Sequence, residues 1–357
     1  METISRTEQF TGTEPMRQGL ELDVAAVQRY FEENVGNFSG QAQVKQFKGG
    51  QSNPSYKVEA DGKAWVIRRK PPGKLQPSAH AVDREYRVIT ALGPTDVPVP
   101  KTYALCTDTE VLGTPFYVME CVEGRVFWES LLPGMSKQQR FEIYDAMNDT
   151  MAKLHSVDYQ AVGLEGFGKP GNYVARQTHR WGRQYQEAVY ERIPEMDKLI
   201  AWIEERLPEL DETSVVHGDY RLDNMIFHPT EPRVLAILDW ELATLGDPLA
   251  DFAYHTMQWR IPQNLHRGLL GIDIEELGIP DEEIYIEAYC RRTGRDGIAN
   301  FDVYSIFNMF KLAAIAHGIL VREKIGTASS VHASKTAAVA RPLAELAWQN
   351  VVERGLA

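Results

Sequence analysis

The spacing of apolar positions changes character along the chain. Leu22, Val24, Val27, Tyr30 and Phe31 fall at positions that suit one face of a helix, which predicts an amphipathic helix over residues 22–35. The runs Val44 to Phe47, Ser55 to Glu59 and Ala64 to Arg68 are short and rich in strand formers. Gly49-Gly50 and Asp61-Gly62 separate them, so an antiparallel meander with a hairpin at Asp61-Gly62 is predicted. Val82, Tyr86, Ile89 and Leu92 return to helical spacing, and Phe116 to Val122 reads as an apolar strand that stops at Glu123-Gly124. Beyond it the pattern is mainly helical, with segments near 136–155, 178–192, 195–207, 281–293, 302–322 and 333–353. Residues 1–20 are polar without a sustained period and read as a tail or an arm over the body. The shift near residue 122 predicts a sheet-rich N-lobe over 21–122 and a helical C-lobe over 123–357, an α+β layout with a cleft between the lobes.

Composition narrows the class. With 357 residues, 43% hydrophobic and 25% charged, the chain has ample material for a packed core. Lys and Arg total 38 against 50 Asp and Glu, and the net charge of −12 repels polyanions, which disfavours coating of nucleic acid. Cys106, Cys121 and Cys290 are too few and too scattered for a disulfide framework or a zinc site, which fits a reducing cytoplasm. No basic segment followed by an apolar stretch opens the chain, so no signal peptide is expected. The most apolar stretch, Ile306 to Val321, contains Asn308, Lys311 and His317, so it reads as a core helix rather than a membrane span. Oligomeric state stays open.

Chemistry concentrates in Val215-Val216-His217-Gly218-Asp219-Tyr220-Arg221-Leu222-Asp223-Asn224-Met225-Ile226-Phe227, where two apolar flanks hold a polar loop. Asp219 precedes Asn224 by five positions, and fifteen residues later Ala236-Ile237-Leu238 ends in Asp239. Phosphoryl transfer needs an acceptor for the attacking hydroxyl's proton and hard oxygen ligands for Mg²⁺, and Asp219, Asn224 and Asp239 supply both. A lone Asp-containing turn between core strands would read as a turn bonding its own backbone; the full pattern with the second strand does not.

This region resembles the catalytic and metal-binding segments of the aminoglycoside phosphotransferase and choline kinase group, relatives of the protein kinases. The resemblance covers roughly Phe47 to Asp251 and implies a two-lobed protein-kinase-like fold that uses ATP and Mg²⁺. It implies Asp219 as catalytic base, Asn224 and Asp239 as metal ligands, His217 as a brace for the loop, and Asp251 as an acceptor for catalytic-loop amides. Trp65-Val66-Ile67-Arg68 sits where protein kinases carry Val-Ala-Ile-Lys, so an Arg68–Glu85 pair is expected, with arginine in place of the common lysine. Lys48-Gly49-Gly50-Gln51-Ser52-Asn53 occupies the phosphate-loop position, with Gly50, Ser52 and Asn53 near the phosphates. Met119-Glu120-Cys121-Val122 aligns with the hinge, where the backbone of Glu120 and Val122 would bond adenine.

For the acceptor, only Trp240 to Gly246 separates Asp239 from Asp247, too short for a regulated activation loop, which favours a small molecule over a protein. Arg176, Arg180 and Arg183 share a helical face with Trp181 and Tyr185, and Arg291, Arg292 and Arg295 form a second basic cluster. Such clusters suit a phosphorylated or carboxylated acceptor, with Arg176, Arg180, Trp181 and Tyr185 as candidates; each is also compatible with a solvated face paired to nearby acids. The segment Leu75 to Arg87, after Arg68-Arg69-Lys70-Pro71-Pro72-Gly73-Lys74, is similar to kinase-like domains fused to some acyl-CoA dehydrogenases and to bacterial kinases of hydroxyacyl-CoA catabolism. That branch implies phosphorylation of a hydroxyl on a CoA thioester. An aminoglycoside or small-alcohol kinase, a nucleotide-binding module with weak catalysis, and an atypical protein kinase stand as alternatives.

Overall fold

The computed structural model describes residues 9–49, 53–73, 80–188, 191–209, 212–324 and 337–357. Two compact units form. The first takes the described residues up to Glu129, then Asp158–Phe167 and Arg221–Ala243; the second takes Ser130–Val157, Gly168–Tyr220 and the rest from Thr244.

The first unit is built on a six-stranded antiparallel sheet. Its elements are β1 (Thr13–Glu14), α1 (Val24–Asn34), β2 (Gln43–Phe47), β3 (Ser55–Ala60), β4 (Lys63–Arg69), α2 (Val82–Leu92), β5 (Thr102–Cys106) and β6 (Phe116–Glu120). The strand order is β1-β2-β3-β4-β6-β5. The expected hairpin is present: Ala60 pairs with Lys63, and Asp61 and Gly62 both take positive φ (50° and 73°), as a primed two-residue turn requires. On β3 Tyr56, Val58 and Ala60 are buried on one face, and they pack with Phe31 of α1, Trp65 and Phe116. The N-cap Asp23 starts α1 by accepting from the Ala25 amide at 2.9 Å.

Two strands escape the sequence pattern. β1 lies in the segment expected to be a tail or arm; Thr13 pairs with Phe47, and the Arg17 guanidinium donates to the Lys48 carbonyl at 2.9 Å. β5 follows Pro98 and Pro100, and only Cys106 of its five residues is fully buried, so no alternation marks it.

The second unit is mainly helical: α3 (Lys137–His155), α4 (Tyr173–Glu187), α5 (Pro194–Glu204), α6 (Pro248–Thr256), α7 (Glu282–Thr293), α8 (Phe301–Lys324) and α9 (Ala340–Glu353). The strand β7 (Ser214–Val216) pairs in this unit with Thr244–Gly246. The helix expected over 178–192 runs instead over Tyr173–Glu187. Asn172 takes a left-handed φ of 51° before its start, and Ile193 is held extended by the following Pro194, which opens α5 at its first position. Residues 301–321 are long and apolar enough to cross a membrane by length and composition, yet 72% of the apolar window is buried in this unit, where α8 packs on α4, α5, α6 and α9. It is a core helix.

Candidate active site

In the first unit the site grows from the end of β4. Arg68 pairs in register with Tyr117 of β6, and its Nε lies 2.6 Å from the Glu85 carboxylate on α2. The same guanidinium forms an ion pair with Asp239. Adjacent Arg69 points to the other side of the strand, as the period of two requires, and bonds Thr114 Oγ1 at 2.9 Å. Glu85 also accepts from Asn53 Nδ2 at 2.7 Å and from the Tyr117 hydroxyl at 3.2 Å. Burial pushes the Glu85 carboxyl up against the pull of Arg68. Burial works against the Arg68 charge too, but Glu85 and Asp239 outweigh it and strengthen its hold on the proton.

Asn53, expected beside phosphates, is buried and turns its amide to Glu85, with its Oδ1 3.0 Å from His80 Nδ1. Gly50 and Ser52 lie outside the described residues. At the hinge position Glu120 closes β6, its amide donating to the Lys101 carbonyl at 2.8 Å, and the Val122 amide has no hydrogen-bond partner among the described residues. That leaves a backbone donor of the kind an adenine edge accepts.

The oxygen donors stand on the hairpin β8 (Met225–Phe227) and β9 (Val234–Ile237). Met225 pairs with Ile237, and the Leu238 amide donates to the Asn224 carbonyl at 2.8 Å, so Asn224 and Asp239 leave the hairpin at the same end. Asp239 takes φ 64° and ψ 57°, a left-handed conformation that Asp tolerates better than most residues. Buried Trp240 anchors the turn by donating from Nε1 to the Ile237 carbonyl at 2.9 Å. Among the described residues no three His, Cys, Asp or Glu side chains group closely enough to cage a metal. Asn224 and Asp239 offer the small hard-oxygen set that suits Mg²⁺, which keeps waters and shares phosphate oxygens.

In the second unit β7 delivers the turn His217-Gly218-Asp219. Gly218 has φ 82°, where a side chain would be strained. Asp251 of α6 holds the turn by accepting from the His217 amide at 2.7 Å and the Gly218 amide at 2.9 Å. Burial raises the Asp251 carboxyl, but His155 and His217 more than reverse this and hold it below the usual value. His217 is fully buried, and its Nδ1 accepts from the Asp219 amide at 3.2 Å, which braces the loop. Three residues past Asp251 on the same helix, Tyr254 donates its hydroxyl to Asp219 at 2.6 Å. Tyr254 was not apparent from the sequence, although its spacing from Asp251 on one helical face is the signal that would find it.

The four candidate acceptor residues on α4 are engaged locally, and among the described residues none bonds the His217–Asp219 turn. Arg176 donates to the Lys169 carbonyl at 2.6 Å. Arg180 lies over the Trp181 ring at 5.1 Å, Trp181 donates to Gln177 at 3.0 Å, and Tyr185 bonds the Ile193 backbone at 2.6 and 3.1 Å. In the second basic cluster, Arg292 is paired with Asp145 and Arg295 with Glu212.

Residues 43–298 match the model of a family described as the phosphotransferase enzyme family. Acyl-CoA dehydrogenase family member 10 of Mus musculus is 42% identical over 346 residues, 96% of this chain and 32% of that protein, so the chain spans about a third of this relative's length. A solved structure from Ralstonia eutropha, provisionally described as an aminoglycoside phosphotransferase, is 49% identical with a TM-score of 0.86, covering 93% of this chain and 99% of that one. Choline kinase from Cryptosporidium parvum, at 12% identity, shares the kinase-like fold with a TM-score of 0.65 over 94% of this chain and 98% of its own. The match over most of the chain, on a sheet-bearing unit and a helical unit, shows that the chain belongs to the phosphotransferase enzyme family and is a kinase-like transferase.

Proposed function

We propose that this protein transfers the γ-phosphoryl group of ATP to a hydroxyl of a small molecule, with hydroxyacyl-CoA thioesters as the acceptor class. The observation that carries the reading is the Asp219 carboxylate, fixed on a turn whose amides are tied down by Asp251. Asp219 takes the proton of the attacking hydroxyl as its oxygen bonds to phosphorus and the bond to the departing ADP breaks. Arg68, held by Glu85, offers its guanidinium to phosphate oxygens. Asn224 and Asp239 would hold Mg²⁺, which when bound offsets the phosphate charge.

The acceptor class rests on two supports. The short connection after Asp239 turns at Trp240–Leu242 and enters a strand at Thr244, with no segment long enough for a peptide platform. The mouse relative carries the name of an acyl-CoA dehydrogenase, and a phosphorylated hydroxyl on an acyl-CoA is poised for elimination. The name of the Ralstonia structure favours a second reading, an aminoglycoside acceptor.

The test is ADP release by the wild type and Asp219→Ala with a panel of hydroxyacyl-CoA thioesters, choline and kanamycin. Loss of the base should lower turnover by about 10²- to 10⁴-fold. Unchanged turnover in the variant removes Asp219 from the mechanism, and consumption of kanamycin alone replaces the acyl reading with the second.

A further inference from the structure

In the helical unit, the apolar α8 carries one lysine in its middle, Lys311, next to buried Phe310, Ala313 and Ala314. Its Nζ sits 5.5 Å from the centroid of the Tyr254 ring, and Tyr254 is the residue whose hydroxyl holds Asp219. Among the described residues no carboxylate lies within ion-pairing distance of this ammonium. Burial works against its charge and pulls its pKa down; Asp251 and Asp219 oppose this at longer range, and Arg180 adds to it. Lys311 is half-buried; a position there that needed only to pack against the core would carry Leu or Met, because a lysine without a direct counter-ion weakens the fold. The cation is therefore placed for something that binds beside Asp219.

We propose that Lys311 and Tyr254 form the acceptor subsite next to the catalytic aspartate, and that Lys311 recognises an acyl oxygen of the acceptor, either the carboxylate of a hydroxy acid or the thioester carbonyl of its CoA ester. The inference rests on the phosphotransfer reading above and deepens it. The Lys311 ammonium beside Tyr254 repels a polycation, which favours an acyl acceptor over an aminoglycoside. Tyr254 supplies the platform: its ring faces Lys311 while its hydroxyl orients Asp219, so acceptor binding and base positioning meet on one side chain.

The test compares wild type, Lys311→Met and Lys311→Arg with hydroxybutyryl-CoA, free hydroxybutyrate and kanamycin. Lys311→Met is expected to raise the KM for the acyl acceptor at least tenfold, leave the KM for ATP within twofold, and keep or raise the melting temperature because a half-buried charge without a direct counter-ion is removed. Lys311→Arg should recover part of the acceptor affinity. Preference for the thioester identifies the carbonyl as the recognised oxygen, and preference for the free acid identifies the carboxylate. An unchanged acceptor KM in Lys311→Met, a lowered melting temperature with unchanged KM, or phosphorylation of kanamycin as efficient as that of the acyl probes overturns the proposal. If wild type phosphorylates none of the three, the phosphotransfer reading fails for these probes, and calorimetric titration with hydroxybutyrate decides the subsite alone. Binding by wild type that Lys311→Met loses supports it, and no binding by wild type overturns it.

Discussion

The Tyr254 hydroxyl donates to the Asp219 carboxylate over 2.6 Å, which fixes the orientation of the proposed base. A hydrogen bond to a charged group contributes about 1.5–3 kcal/mol net, and part of that here goes into holding one orientation. Tyr254→Phe removes the donor and keeps the ring. Turnover should fall about tenfold, equivalent to roughly 1.4 kcal/mol of barrier, with the KM for ATP little changed. Steady-state kinetics with ATP and acceptor varied separately would show it; a loss confined to the KM for ATP would contradict the role.

Arg68 spans two carboxylates, Glu85 through Nε and Asp239 through its terminal nitrogen. A lysine ammonium is a single point charge and cannot present this fork. Arg68→Lys should keep the fold but raise the KM for ATP several-fold, because one of the two carboxylates loses its direct partner. Arg68→Met leaves Glu85 buried without a cation, and breaking such a pair destabilises by about 3–5 kcal/mol. Urea unfolding of both variants beside wild type separates the two effects. Equal stability of Arg68→Met and wild type would mean that Asn53 and Tyr117 suffice to hold Glu85.

Local chemistry was readable from the sequence, and long-range pairing was readable only where the family resemblance supplied it, as for Arg68 with Glu85 and for Asp251 with the His217 and Gly218 amides. The Asp61-Gly62 hairpin was legible because two residues of turn chemistry fix both φ angles. The Asp219 turn, and separately the hairpin ends at Asn224 and Asp239, were legible as polar positions bordered by short apolar strands. The basic clusters were ambiguous for the opposite reason: Arg292 finds Asp145 from 147 positions away, and Arg295 finds Glu212 from 83. Helical periodicity does not report such partners. Lys311 was visible only as a polar interruption of an apolar helix, and its meaning depends on Tyr254 from another helix.

Gly124 makes possible the link between the segment after β6 and the β8–β9 hairpin, which carries the proposed metal ligands. A Cβ there would stand 2.2 Å from the Phe227 carbonyl oxygen and 2.6 Å from Ile226 Cγ2. The next residue, Arg125, exchanges two backbone hydrogen bonds of 2.8 Å with Phe227, at the far end of the strand that begins after Asn224. Gly124→Ala must push these backbones apart. Overpacking of this kind costs about 1–3 kcal/mol, and the displaced strand should also raise the Mg²⁺ concentration needed for half-maximal activity. Thermal unfolding and a Mg²⁺ titration together check it, and a wild-type melting curve would show that the bridge is dispensable.

The helix α6, whose Asp251 holds the His217–Asp219 turn, and its N-cap together carry two buried titrating groups of opposite effect on stability. Asp247 caps α6, accepting from the Leu249 amide at 2.8 Å, and burial, partly offset by its backbone hydrogen bonds, pushes its pKa up from 3.8 to about 6. His255 on the same helix shares a 2.8 Å hydrogen bond with the Tyr285 hydroxyl, and burial drives its pKa down from 6.5 to about 4. Raised in the folded state, Asp247 contributes stability that is full below its unfolded pKa and lost as pH rises through about 6. Lowered in the folded state, His255 contributes stability that is present above 6.5 and lost as pH falls toward about 4. Each shift corresponds to about 3 kcal/mol at its full extent. Asp247→Asn keeps the cap without the charge, so its stability relative to wild type should rise from pH 4 to pH 7. His255→Asn should lose stability overall, but relative to wild type it should improve as pH falls from 7 to 4. Denaturant titrations at pH 4, 5.5 and 7 test both, and variant curves that run parallel to wild type would mean that neither group titrates in the folded protein over this range.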